Sequence, residues 1–305
     1  MSDIDLPGID APLHAYLDIA YAYYMQDRLD AAMAVVTDAF DRQGWPAGLW
    51  TEFYNELVCE NDARNASDLR QVDDKLSIEL SRDEPAGSYE RLKAIALQAR
   101  DEVGRALGVE YLRPVIVTVF LPDAAVDFII GSYGYVAHKA EMNKICLPHD
   151  ILLSEEETMD TLVHEFSHVA AFELVRGEPT RWLGEGLATY MCGGLSTSRA
   201  KSLIRQGVKA GKLLSISRLD GVFASAKLYK DDPKTVETAY YLSGSFVAWW
   251  IERKGLASVR EALVRVGEGM SERRAIGRAA GMSLRQMGRE WRCFIEQTGR
   301  ARSPK

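Results

Sequence analysis

His164 and His168 stand four residues apart in the segment HEFSH, and Glu165 follows the first directly. On a helix, residues four apart are neighbours, with Cβ atoms roughly 5 to 6 Å apart, so each imidazole can offer one nitrogen to a single ion. Glu165 then lies beside that ion without having to ligate it. The pattern is H-E-x-x-H, the spacing a zinc hydrolase needs: two neutral nitrogen ligands and a carboxylate that takes a proton from water.

Two ligands make an incomplete site, so a third has to come from elsewhere in the chain. Glu185, in WLGEGLATY, is the candidate. At about 1.5 Å per helical residue the chain climbs roughly 12 Å from His168 to Arg176, then returns roughly 7 Å from Thr180 to Glu185. The turn RGEPT lets the two helices fold back as an antiparallel pair, and an extended glutamate side chain spans the remaining gap. H-E-x-x-H also arises by chance on charged surface helices. Here Leu162, Val163, Phe166 and Val169 surround it, and Trp182, Leu183 and Leu187 surround Glu185. An unpaired carboxylate is costly in such a setting, which favours ligation over a solvated surface position.

The elements that must position these residues are marked in the sequence. Ser154 and Glu157 form a capping box for the motif helix, with Glu155 and Glu156 at the positive end of its dipole. Arg176, Gly177 and Pro179 stop that helix, and Thr180 caps the next one. Upstream, SYERLKAIALQARDEVGRALG predicts an amphipathic helix closed by Gly108; PVIVTVFL predicts a buried strand and NKICLP a second, with GSYGY as a turn between them. Downstream, TAYYLSGSFVAWWIERKG, SVREALVRVGEG and MSLRQMGREWRCFIEQ predict helices.

From Pro12 to about Gly44 the pattern is a helix hairpin, with Tyr16, Ile19, Ala20 and Tyr23 on one face and Ala32, Val36 and Ala39 on another. Its spacing resembles one tetratricopeptide repeat, but nothing downstream repeats it, and one unit cannot form a solenoid. The segment from about Asn61 to Pro85 is polar, and RDEPAGS predicts a linker or exposed loop. These boundaries give a helical N-terminal region over 1–85, a main domain over 86–297 and a disordered tail over 298–305. The expected class is α+β, mainly helical.

The 305 residues are 47% hydrophobic and 27% charged with a net charge of −7, which suits a globular chain and leaves no basic field for nucleic acid. The start MSDIDLPGIDAPLHAY has no positive n-region, so export is not expected. Apolar runs such as VIVTVFL and GSFVAWWI fall short of the roughly 20 residues a membrane span needs. Cys59, Cys146, Cys192 and Cys293 are scattered without a CxxC pair, which predicts reduced thiols in a cytoplasmic protein, each acting as a small core residue. His14, His138 and His149 lack ligand spacing, although the last two precede the motif helix and could line a cleft. Arg273, Arg274, Arg278, Arg285, Arg289 and Arg292 read as a solvated helix face.

HEFSH followed by WLGEGLATY resembles the gluzincin metallopeptidases, the thermolysin-like and aminopeptidase-like zinc enzymes. From about Ser88 to Gln297 the order of elements is similar to the minimal peptidase MA-like domains. The resemblance implies a zincin-like domain with a small sheet, one zinc per chain held by His164, His168 and Glu185, Glu165 as general base, and a peptide or protein substrate. It also implies a later tyrosine as donor to the oxyanion, best matched by Tyr240, with Tyr241 as the fallback. Two positions depart from the pattern: Gly184 replaces a common asparagine, and Thr189 stands where an acidic partner behind the ligands is usual, so ligand orientation has to be supplied differently. No G-A-M-E-N segment is present, and HKAEMNK is no substitute, so aminopeptidase specificity is not implied. The competing reading is a binding protein whose N-terminal helices hold a partner and whose gluzincin-like domain is inactive; intact ligands and Glu165 count against it. A zinc hydrolase acting on a non-peptide amide is the third.

Overall fold

The computed structural model describes residues 13–44, 49–122, 134–210 and 213–300. Two helices, α1 (Leu13–Met25) and α2 (Leu29–Gln43), precede α3 (Leu49–Ala66), β1 (Ser67–Gln71) and β2 (Leu76–Ser81). Helix α4 (Ser88–Leu107) leads to β3 (Val115–Val119), β4 (Tyr135–His138) and β5 (Asn143–Leu147). The rest is helical: α5 (Glu155–Val175), α6 (Arg181–Met191), α7 (Ser198–Ala210), α8 (Ile216–Phe223), α9 (Ala226–Asp231), α10 (Pro233–Lys254), α11 (Leu256–Gly267), α12 (Glu272–Ala280) and α13 (Leu284–Arg300). The class is α+β and mainly helical, with one small mixed sheet. Among the described residues no helix is long and apolar enough to cross a membrane.

The chain divides into two compact units, one of residues 1–94, 112–128 and 133–155, the other of 95–111, 129–132 and 156–305. In the second unit α10 is the central helix, burying Phe246, Val247, Trp249 and Trp250. Phe246 meets Trp182 of α6 and Trp291 of α13 edge to face, at ring-centroid distances of 5.5 and 5.7 Å. Helix α13 runs to Arg300, three residues into the segment read from sequence as a tail, and 301–305 lie outside the described residues.

In the first unit the sheet has the order β1-β2-β3-β5-β4, with parallel pairs β2/β3 and β3/β5 flanked by antiparallel edge pairs. RDEPAGS forms the mostly exposed turn into α4 that its composition predicts, but the polar segment before it, from Asn61 to Ser81, is not loop. It completes α3 and then supplies β1 and β2, because β1 is an edge strand whose side chains are free to be polar, while the charge in β2 is buried and paired. Of GSYGY, Tyr135 opens β4 and residues 131–133 lie outside the described set. Of the residues whose spacing predicted it, the hairpin α1/α2 buries Tyr16, Ala20, Tyr23, Ala32, Val36 and Ala39, while Ile19 is only partly buried.

What fastens hairpin, α3 and sheet to one another is a closed ring of alternating charges. Lys139 Nζ lies 2.8 Å from Asp27 Oδ1 and 2.8 Å from Glu60 Oε2. Lys144 Nζ lies 3.2 Å from the same Glu60 oxygen and 3.3 Å from Glu79 Oε2. Arg64 completes the ring, 3.8 Å from Glu79 Oε1 and 2.6 Å from Asp27 Oδ2. Glu60 and Lys144 are wholly buried. Hydroxyls fill the remaining acceptor sites: Tyr24 donates to Glu60 at 2.7 Å and Thr118 to Glu79 at 2.8 Å. Three carboxylates and three cations balance, so no charge is buried unpaired. The backbone N–H of Ala140 also donates to Met25 O at 2.8 Å, tying the end of α1 to the turn before β5.

Burial alone pushes the Asp27 carboxyl up, but Lys139, Lys144 and Arg64 outweigh it and hold it below its ordinary value; Glu60 is likewise pushed up by burial and brought below its ordinary value by Lys144 and Lys139. A carboxyl depressed in the folded state contributes stability above its unfolded pKa and loses it as pH falls through the folded one. The urea midpoint is expected to drop steeply from about pH 4 downward, and Asp27→Asn to flatten that slope. Identical slopes for parent and variant in urea titrations at stepped pH would contradict the ring's role.

Candidate metal centre

Helix α5 carries buried Leu162, Val163, Phe166, Val169, Ala170 and Ala171, apolar on nearly every face, so it is an interior helix. A histidine pair on such a helix is held in place by its packing. The helix ends at Arg176, which takes the left-handed backbone at φ +56, and Gly177 N–H closes the turn onto Phe172 O at 3.2 Å. Of the stop signals Arg176, Gly177 and Pro179, the residue that takes the left-handed conformation is Arg176.

Thr180 sits at the N-cap of α6, but its side chain does not cap the helix. Its hydroxyl donates instead to Glu272 Oε2 at 2.5 Å, and the same oxygen accepts Thr180 N–H at 3.3 Å. Asp220 Oδ1 accepts Trp182 N–H at 3.0 Å. Two carboxylates distant in sequence therefore satisfy the exposed start of α6, and both suit the positive end of its dipole. On its other side α6 lies against α10, and glycines permit the approach. A Cβ on Gly186 would stand 2.8 Å from Ser243 O, and one on Gly244 2.8 Å from Thr189 Cγ2. Ser243 Oγ donates to Trp182 O at 2.7 Å across the same contact.

This packing sets Glu185 opposite the motif. Among the described residues His164, His168 and Glu185 form the group able to hold a metal ion. The two Nε2 atoms are 3.2 Å apart, and Glu185 Oε2 is 3.3 Å from each, a nearly equilateral triangle. Donors held at about 2.0 to 2.1 Å from a tetrahedral ion stand about 3.3 to 3.4 Å apart, so the triangle has the size such an ion requires. Although Oε2 is close to both rings, it is buried with no donor aligned on it, as a ligand oxygen would be. Two imidazoles and a carboxylate are also the donor chemistry that suits zinc. Each of the three side chains keeps about a fifth of its surface exposed, at 21%, 19% and 20%, which leaves the triangle reachable from solvent.

The local field favours a positive charge at the triangle. Burial disfavours a charged His164 ring, yet Cys192, Glu185 and Glu165 outweigh it and hold its pKa well above the ordinary value. Burial would raise Glu185, but His168 and His164 bring its carboxyl far below the usual range. Glu165 is 4% exposed, and burial, its largest influence, leaves its pKa raised despite the two histidines.

Tyr240 lies beside the triangle, its ring centroid 6.4 Å from that of His164 and edge to face with Phe223 at 5.0 Å. Burial, and then Glu185, raise its pKa well above the ordinary value, so the phenol keeps its proton. Tyr241 points its hydroxyl to Glu237 Oε1 at 3.4 Å on its own helix. His138 and His149 are engaged within the first unit by Asn143 at 2.8 Å and Glu84 at 2.6 Å, and His14 is exposed.

The sequence profile of the family described as the Peptidase MA superfamily matches residues 126–297, more than half of the chain. The chain belongs to the Peptidase MA superfamily. Membership makes this a gluzincin-type, metallopeptidase-like domain, in a superfamily that also has inactive members. No curated protein and no solved structure matches the chain.

Three neighbours of this Peptidase MA site were not singled out from sequence as functional. Tyr229 brings its hydroxyl 3.5 Å from that of Tyr240, and Asp220 anchors α6; no local pattern announces either. Cys192, read as a core cysteine, is only partly buried and lies 3.9 Å from His164 Nδ1. Its signal was present: it follows Glu185 by seven residues, two turns of the same helix face.

Gly186→Ala is expected to destabilise the chain by about 1 to 3 kcal/mol, because its Cβ would meet rigid backbone. Gly184→Ala, whose Cβ would make ordinary contacts with Pro179 at 3.4 Å and His168 at 3.6 Å, is expected to leave stability near that of the parent. Urea unfolding of the two variants side by side measures the difference.

Proposed function

We propose that this chain is a zinc-dependent metallopeptidase that hydrolyses peptide bonds with one zinc per chain. The observation that carries this reading is the triangle of His164, His168 and Glu185 donor atoms at 3.2 to 3.3 Å with the buried carboxylate of Glu165 adjoining it in sequence and in field. A zinc ion held by those three side chains would supply the Lewis acidity that such hydrolysis needs.

The chain's own residues supply the rest. Glu165 takes the proton of the attacking water and passes it to the leaving amine nitrogen; its burial raises its basicity, which suits both transfers. Tyr240, protonated and fixed against Phe223, donates a hydrogen bond to the oxygen that becomes negative as the carbonyl is attacked. The partly exposed rim of the triangle admits the peptide, while α5 and α6 hold the donors in place before it arrives. The rival reading, a partner-binding protein with an inactive domain, leaves this donor set and Glu165 without a role.

Metal content by mass spectrometry tests the ligands: about one zinc per parent chain, and none in His168→Ala purified identically without added metal. Digestion of a peptide library tests the chemistry: Glu165→Gln is expected to keep its zinc and lose cleavage. A variant that cleaves as fast as the parent would sink the mechanism, and a zinc-free parent would sink the site.

Tyr240→Phe is expected to lower kcat by about 10² to 10³ with zinc content unchanged. An unaltered kcat would assign Tyr240 to packing alone.

A further inference from the structure

A histidine that coordinates through one ring nitrogen needs a partner on the other, since that hydrogen bond fixes both the tautomer and the ring plane. His164 turns Nε2 toward His168 and Glu185, and on the opposite side its Nδ1 lies 3.9 Å from Cys192 Sγ. The thiol has a second contact, 3.6 Å from the backbone carbonyl oxygen of Thr189, to which it donates. Both distances are within the longer reach of sulfur.

The direction of the chain follows from counting protons. A thiol has one, and the Thr189 carbonyl, which can only accept, is the nearer of its two contacts; with the hydrogen given there, the sulfur meets His164 as an acceptor. Nδ1 must then carry the ring hydrogen, and Nε2 is left with its lone pair aimed into the triangle. That is the tautomer a metal ligand needs. A backbone carbonyl of α6 thus dictates, through Cys192, which nitrogen of His164 is free.

We infer that Cys192 is a positioning residue for the metal site: accepting the Nδ1–H of His164, it fixes the ring of a ligand that the neighbouring helix supplies. The inference rests on the metal-site reading given above. One helix, α6, then contributes both the third ligand, Glu185, and, two turns later at its C-cap, the group that orients a ligand on α5.

The test reads zinc affinity, by competition of the metal-free chain with a chromogenic chelator, together with urea unfolding of the metal-free chain. Cys192→Ala is expected to bind zinc about 10- to 100-fold more weakly than the parent, with metal-free stability unchanged. Cys192→Asp, whose carboxylate can accept the same Nδ1–H, is expected to recover the affinity. Parent-like affinity in Cys192→Ala would overturn the inference. So would equal weakening in both variants with a matching loss of metal-free stability, since that is the behaviour of a packing residue. A parent that takes up no zinc overturns the metal-site reading and this inference with it. Cleavage plays no part in the readout: a chain that binds zinc but cleaves no peptide removes the proposed activity and leaves the affinities to decide Cys192.

Discussion

Three electron-rich atoms, two imidazole nitrogens and a carboxylate oxygen, meet within 3.3 Å of one another at the junction of α5 and α6. The imidazoles answer the Glu185 carboxylate across those distances, but pairs this exposed do not by themselves fix the spacing of two helices. The surrounding helices supply the restraint. Interior packing fixes α5, while α6 is pinned at its start by Asp220 and Glu272 and pressed on α10 at Gly186 and Gly244. The second unit's architecture is in this sense a frame that prevents three donors from separating.

The first unit treats buried charge in the opposite way. Its ring of Asp27, Lys139, Glu60, Lys144, Glu79 and Arg64 alternates in sign and closes on itself, so every charge is answered. Buried ion pairs of this kind add little net stability over an apolar core, but removing one partner is costly, so they specify which surfaces meet. The cluster on α5 and α6 differs in composition and setting: two imidazoles meet one carboxylate on a partly exposed rim, the arrangement on which the proposed metal site rests.

Much of the fold was legible because it follows from local periodicity. The hairpin residues, the long helix from Ser88, the strands in PVIVTVFL and NKICLP and the helices in TAYYLSGSFVAWWIERKG, SVREALVRVGEG and MSLRQMGREWRCFIEQ all carry apolar patterns, and the structure forms elements there. The failures have a common cause. Strands β1 and β2 went unrecognised in a segment noted only as polar, because Glu79 answers Lys144 from another strand, a pairing no local window contains. Thr180 read as a side-chain cap, but Glu272, 92 residues away, takes its hydroxyl.

The sequence by itself determined which residue types could do chemistry: H-E-x-x-H on one helix face and a glutamate after a tight helix reversal, both consequences of a fixed 3.6-residue period. Only the tertiary structure decided how far apart their atoms come to rest, that Tyr240 rather than Tyr241 faces the histidines, and that a cysteine stands behind His164. The physical reason is that periodicity fixes direction along one helix, whereas the distance between helices depends on which side chains, or glycines, lie between them.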